Sequence, residues 1–119
     1  MPLYLVTIQL PDNYDPSVED EAMLGDMQAL GEEMEAAGVI TKFAAGLMPA
    51  SNAKSLRYQS NGDVVITDGP YVEAKEHVGG FSILECADMD DALVWARKGA
   101  KACRASGEVR EIFFKPPAD

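Results

Sequence analysis

Apolar and polar positions change rhythm several times along this chain. From Leu3 to Leu10 they alternate, with Tyr4, Val6, Ile8 and Leu10 on one face, the period of a β-strand. "PDNYDPS" breaks that pattern, and a helix is expected to begin near Asp15 or Ser17. Pro16 suits a first helical position, and Ser17 with Asp20 approximates a capping box. Met23, Met27, Leu30, Met34 and Ala37 follow at spacings of four, three, four and three, one apolar stripe facing a core. Gly38 stands where a helix C-cap glycine belongs. Gly25 and Gly31 inside the helix each cost about 1 kcal/mol relative to Ala, so tertiary packing must hold it.

"VITKFAAGL" (39–47) reads as a second strand. "SLRYQ" (55–59) and "DVVIT" (63–67) flank Ser60-Asn61-Gly62, and the Asn-Gly pair predicts a hairpin through a type I′ turn, whose central residues need positive φ. Phe81 to Cys86 is another strand. Asp88 then precedes a helix running to about Arg104, with Met89, Ala92, Leu93, Ala96, Ala100 and Cys103 inward. "EVREIFF" (108–114) is the last strand and "KPPAD" a tail. The order β-α-β-(hairpin)-β-α-β predicts an α+β fold, a ferredoxin-like βαββαβ with an inserted β-hairpin. Two helices cover one face of such a sheet. The strands nevertheless carry apolar residues on both parities: Tyr4, Val6 and Ile8 against Leu3 and Leu5, and Ile112 and Phe114 against Val109 and Phe113. An open apolar sheet face predicts a homodimer formed through it.

The 119 residues are one domain's worth, so residues 1–119 are read as a single domain. Composition, 47% apolar and 25% charged, is that of a folded soluble chain. No apolar run approaches the ~18–20 residues that span a bilayer. The N-terminus lacks a basic region and a small-residue cleavage site, so a cytoplasmic protein with no membrane partner is expected. A net charge of −10 with no offsetting basic cluster argues against nucleic-acid binding. Cys86 and Cys103 stand apart without metal-ligand spacing and read as small buried hydrophobes in a reducing setting. Asp88, Asp90 and Asp91 are accounted for by capping and the helix dipole. With no P-loop, GxGxxG, nucleophile elbow or zinc motif, no cofactor and no metal are expected.

Titratable chemistry concentrates in "ITDGPYVEAKEHVGG" (66–80), which holds Asp68, Glu73, Lys75, Glu76 and the only histidine, His77. Asp68 begins a Gly-Pro turn, where its carboxylate either accepts backbone N–H groups or faces a cleft as a general base. Lys75 either holds an anionic substrate group or pairs with Glu73 or Glu76, which share a face if "VEAKEH" makes a helical turn. His77 is the natural proton shuttle, since its ordinary pKa lies near neutrality. Tyr71 and Phe81 wall the cleft or fill the core beneath it. Thirteen residues from Asp68 to Gly80 exceed most structureless connections, which points to an ordered, site-forming loop.

"TDGPYVEAKEHVGGF" followed by "ADMDDALVWA" resembles the DGPF-domain branch of the YCII-related family, with Tyr71 in place of the tetrad's phenylalanine. "AAGVITKFAAGLMPASNAKSLRY" fits the same family upstream, so the resemblance covers about Met34 to Phe114. It implies a dimeric α+β barrel with a small-molecule cleft near the dimer interface. It also implies a family mostly without assigned reactions. One YCII relative is linked to dehydrochlorination of a chlorinated hydroxyhydroquinone, and a His–Asp pair has been proposed as catalytic in others. The family's early helix histidine has no counterpart in this chain. DGPF members are often encoded beside extracytoplasmic-function sigma factors.

Two functions are therefore expected in competition. One is a cofactor-free enzyme acting on a small organic acid or phenolic compound by proton transfer, of elimination or isomerisation type. In it Asp68 is base or orienter, His77 a shuttle, and Lys75, Glu73, Tyr71 and Phe81 hold the substrate. The other is a non-catalytic ligand-sensing or protein-interaction module, associated with a sigma-factor regulatory system.

Overall fold

The computed structural model describes residues 1–113. Among them the elements run β1 (Leu3–Pro11), α1 (Glu21–Ala36), β2 (Ile40–Gly46), β3 (Lys54–Tyr58), β4 (Val64–Asp68), β5 (Glu76–Glu85), α2 (Met89–Cys103) and β6 (Gly107–Glu111). Four strands form one antiparallel sheet in the order β2-β5-β1-β6, and β3 pairs with β4 in a separate hairpin. This mixed α+β arrangement is compatible with a ferredoxin-like fold. The predicted last strand stops at Glu111, leaving Ile112 and Phe113 outside it, and Phe114 and the tail lie outside the described residues. No helix among the described residues is long and apolar enough to cross a membrane.

Three further features differ from the sequence expectation, each for a local reason. Asp15 caps only a short 3-10 turn at Pro16–Val18, accepting the Ser17 N–H at 2.9 Å, and the chain turns again before α1. The helix proper is capped by Asp20, whose Oδ1 accepts the Met23 N–H at 2.9 Å. The hairpin tip is not type I′. Gly62 alone there has positive φ (+92°), its N–H donates to the Gln59 carbonyl at 2.9 Å, and Asn61 Oδ1 instead accepts the Asp63 N–H. That geometry is a type I turn followed by a glycine in the left-handed region. The third difference matters most for function. β5 begins at Glu76, not Phe81, because Glu76–Val78 pair with Gln9–Pro11 beyond a bulge at Ile8/Gln9. The thirteen-residue loop shrinks to a connection over 69–75, and "VEAKEH" contains no helical turn.

The core lies between α2 and the sheet. Tyr4, Val6, Leu84, Cys86 and Ala92 are its buried centre, with Trp95, Ala96 and Val109 packed around it. Tyr4 keeps its hydroxyl satisfied by donating to Glu111 Oε1 at 3.2 Å. The inner stripe of α2 runs one position round from the expected one. Trp95 and Ala102 turn inward, while Leu93 is 48% exposed. Small residues at 92, 96 and 99 let this helix approach closely, and that decides which face is buried. α2, not α1, rests on β1 and β6; α1 leans on α2, with Leu30 over Gly99 and ion pairs Lys98–Glu33 and Arg104–Asp26.

Candidate ligand cavity

α1 stands chiefly on α2, and its apolar stripe reaches the core through buried Met23 and through Met34, which packs against the central cluster. Met23, Met27, Leu30 and Met34 also form one wall of an open cavity of about 940 Å³. Val6, Ile8 and Leu10 of β1 form the floor, and Trp95 and Gly99 of α2 close one side. Residues Ala44–Ala50, in and after β2, and Val78–Ser82 of β5 supply the remaining wall. The lining is predominantly apolar, and the methionines make it adaptable, since an unbranched thioether fills irregular space at little cost.

Its polar groups gather at one end: Asp12, Tyr14, Glu19 and His77. The register of β1 and β5 explains the pairing among them. Leu10 lies opposite His77 and Pro11 opposite Glu76, so Asp12 emerges beside the start of β5 and its N–H donates to the Lys75 carbonyl at 3.0 Å. His77 Nδ1 then meets Asp12 Oδ1 at 2.5 Å, and Nε2 meets the Val72 carbonyl at 2.9 Å. Both partners are acceptors, so the form that satisfies both contacts is the doubly protonated imidazolium. The Val72 carbonyl is the largest influence and raises its pKa, partial burial opposes it, and the Asp12 carboxylate adds to the rise, so the pKa lies above the ordinary value. Tyr14 is likewise pushed up, by burial and then by the adjacent Glu19 carboxylate, and stays a phenol at neutral pH.

Of the residues singled out in the sequence, His77 lines the cavity and Phe81 borders it, but register turns the Phe81 ring to the opposite sheet face beside Phe43; Asp68, Tyr71, Glu73 and Lys75 lie outside. Asp68 ends β4, its carboxylate 88% exposed and paired with Lys54 across the hairpin. Gly69, at φ +92°, donates to the Ala53 carbonyl at 2.8 Å and accepts from Ser55 Oγ at 2.7 Å. Tyr71 lies under the Arg57 guanidinium, 4.9 Å from the ring centroid, and its carbonyl accepts from the same side chain at 3.1 Å. The Asp-Gly-Pro segment thus clasps the turn onto β3. Glu73 and Lys75 are exposed on the connection. Asp12, Tyr14 and Glu19 escaped sequence reasoning, because pairing Asp12 with His77 requires the β1–β5 register across 65 residues.

Cys103 lines the cavity and Cys86 is buried in the core; burial raises both thiol pKa values, so neither is an activated nucleophile. Among the described residues, no group of three or more His, Cys, Asp or Glu could hold a metal ion.

Comparison with known proteins gives two matches. The family model for the YCII-related domain matches residues 3–114. An uncharacterized protein of Rhizobium meliloti (strain 1021) is 35% identical over 103 residues, covering 85% of this chain and 82% of that protein.

Proposed function

We propose, from the premise that this chain belongs to the YCII-related family, that the cavity beneath α1 binds a small molecule and that the protein works as a ligand-binding module. The cavity carries this reading. Its volume of about 940 Å³ lies within the range of ligand sites, ~300–1,000 Å³, and it has the usual makeup of apolar walls with a few convergent polar groups. The Asp-Gly-Pro-Tyr sequence at 68–71 supports a place in the DGPF branch, where its role is the clasp on the hairpin.

Nile red, a neutral dye that brightens in apolar surroundings, tests the site. The wild type should bind it, and Met27→Trp or Leu30→Trp, which fill the cavity from α1, should abolish the signal with the circular dichroism spectrum unchanged. Equal dye binding by folded Trp variants would remove the cavity from consideration.

The His77–Asp12 pair favours a second reading, proton-transfer catalysis on a small organic acid or phenol. It requires Val72 to leave Nε2, because both ring nitrogens are engaged in this conformation. Asp68 and Lys75, on the hairpin and the connection, would have no part in it. Turnover of a bound phenol that His77→Gln abolishes while binding persists would establish this reading over the first.

We also propose a homodimer. One face of the hairpin presents Leu56, Tyr58, Val64 and Ile66 in two cross-strand pairs, each more than half exposed. The sheet face turned away from the helices adds Phe43, 5.8 Å from Phe81. A lone two-stranded hairpin is marginal in water, so a second copy that covers this apolar surface accounts for both patches.

A further inference from the structure

We propose that the cavity's ligand is an apolar molecule bearing one positive charge, an alkyl or aryl amine, held by Glu19 with its hydrophobic body along the methionine wall. The inference rests on the reading of the cavity as a small-molecule site, and the charges at its polar end carry it further. Asp12, Glu19 and His77 are the lining side chains that bear formal charge near neutrality, and no Lys or Arg is among the lining residues. His77 is matched by Asp12 at 2.5 Å. That leaves Glu19, half-buried at the end of the 3-10 turn, with no cationic partner among the described residues. Its neighbours among the described residues include the Tyr14 phenol, a single donor, and the Cys103 thiol, a weak one, so acceptor sites remain for a ligand.

A carboxylate or phenolate ligand would meet like charge at Glu19 and would find no lysine to offset it, since Lys75 lies outside the cavity. A ligand without a donor would cover Glu19 without replacing the water it displaces, which is costly for a charged group, and a neutral hydroxyl would offer a single, weaker uncharged donor. An ammonium answers both problems, donating to the carboxylate while Met23, Met27, Leu30 and Met34 receive the apolar part. The net charge of −10 adds a long-range field that attracts cations to the protein.

The test is displacement of Nile red by three probes of equal chain length at pH 7: octylamine (an ammonium at this pH), octanol and octanoate. Octylamine should displace the dye at a concentration about tenfold or more below octanoate, the margin expected of a hydrogen bond to a charged group. Glu19→Gln, isosteric and uncharged, should erase that preference, read as the ratio of octylamine to octanoate displacement. If the dye binds but octanoate competes equally well, or if the preference survives Glu19→Gln, the ligand class is overturned while the cavity stands. If the dye does not bind, or if folded Met27→Trp binds it unchanged, the small-molecule site falls and this inference falls with it. The wild-type comparison needs no variant, so it decides the ligand class even if Glu19→Gln were to misfold.

Discussion

A histidine whose two ring nitrogens both face acceptors has one protonation state that satisfies them, and His77 is such a residue. Its folded pKa is raised above the ordinary ~6.5. The stability it contributes is therefore fully present below about pH 6.5 and is lost as pH rises through the higher folded value. Between pH 6 and 8, below the range of the thiols and phenols, the melting temperature of the wild type should fall relative to that of His77→Gln. Parallel melting curves for the two proteins would show that folding does not raise the pKa of the ring. Loss of that proton also weakens the tie between the 69–75 connection and the end of β1, at the rim of the cavity. Sequence alone marks His77 as the titrating group, but it assigns the ring a shuttle's freedom. The two partners that remove this freedom come from another strand and from a backbone carbonyl, neither of which composition or spacing displays.

At the scale of elements, helix α1 depends on a cap that local pattern misassigns. Ser17 and Asp20 satisfy the spacing of a capping box, yet Asp15 and Pro16 claim the first turn and Asp20 caps the helix. Asp20→Ala should destabilise the protein by about 1 kcal/mol in urea unfolding, whereas Ser17→Ala, whose side chain caps nothing in α1, should cost well under half of that. Strand and helix order was legible because periods of two and near 3.6 persist through β1, β3, β4 and both helices. The start of β5 was not. Gly79 and Gly80 erase its alternation, and pairing draws the stretch into the sheet, Glu76–Val78 on Gln9–Pro11 and Gly80 on Ile8 and Gly46. Likewise Asn61-Gly62 announces a hairpin correctly but not its turn type, which the Asn61 side chain decides by bonding forward to Asp63. Of the candidate site, the sequence contained every residue but not their convergence, because Met23, Met27, Leu30 and Met34 read equally well as ordinary core.

Taken whole, the chain is a slab of 52 × 47 × 20 Å with a radius of gyration of 16.8 Å. About 13–14 Å would be usual for a domain of this length. The projecting hairpin, with Leu56 65% and Ile66 67% exposed, is part of that excess. On the proposed dimer, sedimentation should give twice the chain mass, and Leu56→Lys combined with Ile66→Lys should give folded monomer. A monomeric wild type at micromolar concentration would sink the dimer. One wall of the molecule has a further consequence, for how such a protein diversifies. Replacing a large residue of the buried core typically costs 2–5 kcal/mol, a large part of a domain's whole stability. Met27 is under less of that constraint, since it is 39% exposed and borders the cavity, whereas Met23 on the same helix face is buried. On the proposed ligand site, change at Met27 can therefore retune ligand preference at small cost in stability, while Met23, Val6 and Trp95 tie the rest of the wall to the core.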